Sequence, residues 1–125
     1  MPEAVRALRG ATTVDEDTPE QIHERVKALL HELFERNDLR NDDLISIVVT
    51  GTADLRSAHP ATAVRAFGLA DVALLGAQEM EIDGTLGRCI RLLVHVETDR
   101  GRDALQHVFL EGARVLRPDL ADPDE

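Results

Sequence analysis

The apolar residues Ile22, Val26, Leu29, Leu30, Leu33 and Phe34 recur at the i, i+4, i+7, i+8, i+11, i+12 spacing of a helix that buries one stripe. Its start is legible just upstream. Thr18 is a good N-cap, Pro19 suits the first helical position, and Gln21 stands where the second half of a capping box belongs. The helix is therefore predicted to begin at Pro19 and to stop at Asn37 and Asp38. His23 and His31 lie off the stripe and are read as solvated, because a metal site needs a matching carboxylate or cysteine cluster.

Other stretches change period to two. Ala4 to Thr12 reads as a strand, as does DLISIVVTGT, with Ile45, Ile47 and Val49 on one face, and DVALLGA as a third. In GRCIRLLVHVET the even positions Ile90, Leu92, Val94 and Val96 are aliphatic, while Arg91, Leu93, His95 and Glu97 share the other face. A strand with one solvated face alternates apolar with polar. Arg91 can be a plain exposed residue or half of an ion pair, but Leu93 between it and His95 is too apolar for a water-facing row, so that face is expected to meet something else. Pro60 to Phe67 reads as a short helix with Ala61, Val64 and Phe67 inward, QHVFL as a short fifth strand, and EGARVLRPDL as a helical turn. The order is β-α-β-α-β-β, an α+β fold with a mixed sheet and one long helix on one face. The uncovered face would be buried against another copy of the chain.

At 125 residues the chain is the size of one domain, placed at 1–120, with the acidic ADPDE at 121–125 expected to be disordered. Three Phe and no Trp or Tyr imply an aliphatic core. A net charge of −10 argues against nucleic acid or an anionic membrane as partner, so an anionic ligand needs a local basic pocket. Of the 14 basic residues only Lys27 is a lysine, which reflects base composition or a demand for planar bidentate donors. The single Cys89 excludes an internal disulfide and reads as a small buried hydrophobe more readily than as a nucleophile beside Arg88. MPEAVRALRG has no apolar core of a signal segment, and no apolar run reaches the length of a membrane span. The expectation is a soluble cytoplasmic protein.

The chain has no Walker loop, since GTLG at Gly84 to Gly87 reads as a turn, and no G-x-S-x-G elbow. An enzyme of this composition is left with positioning and electrostatics, which suffice for unimolecular chemistry without proton transfer. Four stretches, LRGATTVDEDTPEQI, DLRSAHPATAVR, QEMEIDGTLGRCIR and HVFLEGARVLRPDL, together resemble the monofunctional trimeric chorismate mutases of bacteria, from about Ala4 to Leu120. The resemblance implies a homotrimeric pseudo-barrel with an active site in each cleft between subunits. It also implies conversion of chorismate to prephenate in phenylalanine and tyrosine biosynthesis, with no cofactor and no metal.

By motif, the resemblance assigns Arg9 to a substrate carboxylate, Glu79 to the ring hydroxyl, and Arg91 to the ether oxygen of the breaking bond and a neighbouring carboxylate. Arg65 and Arg117 match residues at the cleft mouth. His59, Leu75, Gly76, Phe109 and Leu116 complete the expected substrate-binding set. Phe109 stands where the family has Tyr, Gly76 where Cys is common, and His59 where a Phe lies near the site. Two other readings are a non-catalytic trimer binding an anionic metabolite and an imine or enamine hydrolase on a similar plan. A binder of a dianion has no use for Glu79, and a hydrolase must activate water, whereas a Claisen rearrangement needs only opposed charges.

Overall fold

A computed structural model describes residues 3–116. Arg117 and the tail at 121–125, both named above, lie outside the described residues. The chain runs β1 (Ala4–Thr13), α1 (Pro19–Asn37), β2 (Leu44–Gly51), α2 (Pro60–Val64), β3 (Ala73–Gln78), β4 (Cys89–Thr98) and β5 (Val108–Phe109). The strands form a five-stranded mixed sheet in the order β3-β2-β4-β1-β5. Central β4 is antiparallel to β1 and β2, while the outer strands β5 and β3 run parallel to β1 and β2. This is the α+β architecture the alternation predicts.

Helix α1 starts where the cap residues place it. Thr18 Oγ1 accepts the Gln21 N–H at 3.2 Å. The reciprocal half of the expected capping box does not form, because the Thr18 N–H is already bound to the Glu16 carbonyl at 3.0 Å. Gln21 Oε1 instead accepts the N–H groups of Asp15 at 2.6 Å and Glu16 at 3.1 Å, gathering the turn that leads in from β1. At the other end Asp38 takes a left-handed φ of 51° and returns its N–H to the last carbonyls, which stops the helix as predicted.

The stripe Ile22, Val26, Leu29, Leu30 and Leu33 packs on the sheet face made by Leu8, Ile47, Val49, Ile90, Leu92, Val94 and Val96. Each buried side chain of this kind contributes roughly 1.5–3 kcal/mol. A Cβ at Gly10 would lie 2.9 Å from Leu33 Cδ1, so the bare glycine lets the helix close onto β1. Buried Asn37 then ties the helix end to the segment that leads into β5. Its Nδ2 donates to the carbonyls of Leu33 and Gln106, both at 2.9 Å, and its Oδ1 accepts the Gln106 N–H at 2.7 Å.

Two local expectations are corrected. Ile45 does not share the core face with Ile47 and Val49. The β2–β4 register shifts between Leu44 and Ser46, and this bulge packs Leu44 against the core and leaves Ile45 43% exposed. The second helix is α-helical only over Pro60–Val64, and a wider π turn, Arg65–Leu69, follows with Gly68 at φ 110°. Across the two, Ala63, Val64 and Leu69 are the buried residues, with Ala61 and Phe67 packed at the margin.

Register sorts the face away from α1 into rows. Ala77, Thr50, Arg91, Ala11 and Phe109 lie side by side across all five strands. The next row is Leu75, Val48, Leu93 and Arg9, and the one beyond it Ala73, Ser46, His95 and Ala7. The first row is covered at its β5 end, where Ala11 and Phe109 are buried, but the sheet face beyond it is open, with Leu75 65% exposed, Leu93 37% and Val5, farther along β1, 58%.

Candidate active site

The first row ends in chemistry. Arg91 projects from β4 onto the open face, opposite Thr50 on one side and Ala11 on the other. Its Nε is buried and makes no hydrogen bond, and it lies 3.7 Å from Glu79 Oε1. Glu79 is the first residue beyond β3. Its N–H donates to the Gly51 carbonyl at 2.9 Å, so the end of β2 sets its backbone, and its Oε2 accepts the Thr50 hydroxyl. A cation and an anion are thus held close without being hydrogen-bonded to each other.

Arg9 is the diagonal neighbour of Arg91 on the same face, and its guanidinium lies 5.7 Å from the Phe109 ring centroid. Phe109 is only 2% exposed and packs with Ala11, Ala113, Leu86 and Leu116. Cys89 is fully buried, and that burial pushes its thiol up, with the Arg91 charge opposing the rise. The small-hydrophobe reading of Cys89 fits this environment.

The other predicted residues lie elsewhere. His59, Arg65 and Gly76 line a cleft of about 600 Å³ between α2 and the β2–β3 edge, on the helix side of the sheet. Gly76 faces Ala61, to which a Cβ there would come within 3.7 Å. Leu75, one residue before, points to the open face instead. One chain therefore brings Arg9, Glu79, Arg91, Phe109 and Leu116 to one region and His59, Arg65 and Gly76 to another. Arg117 lies outside the described residues.

The chain as a whole matches known proteins. A family profile described as chorismate mutase type I matches residues 5–120. This chain belongs to that family. It is 45% identical over 117 residues to chorismate mutase AroH of Thermus thermophilus, covering 93% of this chain and 96% of that one. It is 42% identical over 118 residues to chorismate mutase AroH of Bacillus subtilis, covering 94% and 93%. A solved chorismate mutase from Clostridium thermocellum superposes with a TM-score of 0.85 at 44% identity, over 88% of this chain and 98% of that one.

In this type I chorismate mutase the loop leading to His59 is fixed by two carboxylates that the motif reading passed over. Asp17, just before α1, accepts the Ser57 hydroxyl at 2.7 Å and the N–H groups of Arg56 and Ser57 at 2.9 and 3.1 Å. The Ser57 hydroxyl first, then the backbone donors, hold its pKa below the ordinary carboxylate value. Asp54 accepts the Thr52 hydroxyl at 2.5 Å and the Arg88 N–H at 2.9 Å, joining the same loop to the start of β4. Thr50 was also missed. Its only signal is a hydroxyl residue closing the run Ile47, Val48, Val49, and cross-strand register is needed to set it beside Arg91. Among the described residues no group of three or more His, Cys, Asp or Glu side chains is placed to share a metal ion, and no helix is long and apolar enough to cross a membrane.

Proposed function

We propose that this chorismate mutase rearranges chorismate to prephenate in phenylalanine and tyrosine biosynthesis, by electrostatic stabilisation of the transition state within a cytoplasmic homotrimer. The observation that carries the reading is the opposed pair of Arg91, with a buried and unpartnered Nε, and Glu79, 3.7 Å away. In a Claisen rearrangement the ether C–O bond breaks as a C–C bond forms, with no proton transferred. Negative charge gathers on the ether oxygen and positive charge on the ring. Arg91 meets the first and Glu79 the second, and both interactions strengthen toward the transition state. Arg9 and Arg65 hold the substrate carboxylates, which keep their charge throughout. Family membership favours this reading over a metabolite binder or an imine hydrolase.

The division of the site residues supports the trimer. His59, Arg65 and Gly76 open on the helix side of the sheet, while Arg9, Glu79 and Arg91 belong to the opposite side. A site that uses both groups takes one from each of two chains, and the exposed Leu75, Leu93 and Val5 give the open face an apolar surface to bury. Closing the ring of subunits then forms pseudo-barrel and active sites together.

Purified protein mixed with chorismate is the test. Loss of chorismate absorbance with formation of prephenate is expected, and sedimentation should give a trimer. Unchanged absorbance at micromolar enzyme would refute the activity, and a fully active monomer would refute the shared site.

A further inference from the structure

We propose that Thr50 is a positioning residue for the rearrangement, one that keeps the Glu79 carboxylate available to substrate by holding it off Arg91. The inference rests on the reading of Glu79 as the group that opposes the developing ring cation.

The pair has a built-in hazard. A carboxylate and a guanidinium at this separation gain by closing to a charge-assisted hydrogen bond near 2.8 Å, roughly the N–H···O distance such pairs favour. Closed in that way, each would spend its charge on the other and present less to the substrate. In this chain the pair stays open at 3.7 Å. The constraint on Glu79 comes from β2. The Gly51 carbonyl holds the Glu79 backbone N–H at 2.9 Å, and the Thr50 hydroxyl donates to Oε2. Consecutive residues of one strand thus fix both the main chain and the carboxylate of Glu79.

The residue type fits the task. Thr50 follows Ile47, Val48 and Val49 in a strand, where a valine would pack as well and satisfy the same β preference. The hydroxyl is what valine lacks. It donates to Glu79, just beyond the end of β3, and Thr50 is itself in register with Arg91. With the hydroxyl replaced by a methyl group, Oε2 loses its donor and the carboxylate is free to turn to the nearest cation, Arg91.

The consequence is specific to the chemical step. Arg9 and Arg65, which hold the substrate carboxylates, make no hydrogen bond with Thr50, so ground-state binding should change little. Stabilisation of the ring cation, which exists only near the transition state, should fall. Thr50→Val is expected to lower kcat by about tenfold or more, the scale of one hydrogen bond to a charged group, with KM within about threefold. Thr50→Ser should restore most of kcat. In a Glu79→Gln background Thr50→Val should cost less than about twofold more, because its effect passes through the carboxylate.

The wild-type protein is assayed with chorismate in parallel with Thr50→Val, Thr50→Ser, Glu79→Gln and the Glu79→Gln/Thr50→Val double variant, and each is melted. An inactive wild type or a fully active Glu79→Gln would remove the underlying reading of the site. An active wild type with full kcat in Thr50→Val would overturn the role of Thr50 alone. So would an equal loss from Thr50→Val in the wild-type and Glu79→Gln backgrounds, or a loss in Thr50→Val that Ser fails to rescue.

Discussion

Arg91→Lys keeps a positive charge at the same point of β4 and removes the planar fork that carries it. The Arg91 Nε is buried, makes no hydrogen bond and is 3.7 Å from Glu79 Oε1. A buried donor without a partner costs roughly 1–3 kcal/mol of stability, so the folded chain gains nothing by keeping it there. A ligand oxygen would gain. Lysine has no donor at the Nε position, and its single ammonium cannot serve an ether oxygen and a carboxylate together. Removal of one preorganised donor from a site of developing negative charge costs about 10²–10³ in kcat, or roughly 2.7–4 kcal/mol of transition-state stabilisation. Folding, by contrast, is relieved of the unpartnered N–H. The expected result is kcat at least about a hundredfold lower, with a melting temperature equal to or above that of the wild type. Initial rates of chorismate absorbance loss over a range of concentrations, read beside a thermal melt, measure both. The absence of Trp and Tyr keeps the protein background low. Near-full kcat in a folded Arg91→Lys would show that this side chain does not follow transition-state charge.

Asp17→Asn tests the loop that carries His59. Because donors lower the folded pKa of Asp17, its contribution to stability is fully present above the unfolded value of about 3.9 and is lost as pH falls through the lowered folded value. The melting-temperature gap between wild type and Asp17→Asn should therefore hold from neutral pH down to that region and then close, whereas a gap constant into strong acid would contradict the assignment. Gly10→Ala drives a methyl group to 2.9 Å from Leu33 Cδ1 and 3.2 Å from Leu29 Cδ1. It should cost about 1–3 kcal/mol by denaturant unfolding, and no loss would mean that α1 can lift off β1 freely. Phe109→Tyr should lower KM for chorismate by up to about tenfold at constant kcat, since a hydroxyl on a substrate carboxylate binds ground and transition states alike. A lower melting temperature with unchanged kinetics would instead assign the whole ring to its cluster with Ala11 and Ala113.

The sequence alone determined the elements whose cause is local. Thr18 and Pro19 place the start of α1, its stripe names the face it buries, and the alternation in β4 separates Ile90, Leu92, Val94 and Val96 from Arg91, because cap bonds and side-chain periodicity depend on residues a few positions apart. Motif order carried the family, and it singled out Arg9, Glu79 and Arg91 as the candidates. What depended on pairing between distant residues was decided only by the folded chain. The bulge that turns out Ile45 is a matter of how β2 meets β4, and the capping box stayed half-formed because Glu16 had already taken the Thr18 N–H. Thr50 and Arg91 are 41 positions apart in the chain, yet the β2–β4 register makes them neighbours, and Glu79 joins them only because β3 lies parallel beside β2. The separation of His59, Arg65 and Gly76 from Arg9 and Arg91 is likewise a property of the sheet, whose two faces send alternate residues to opposite sides.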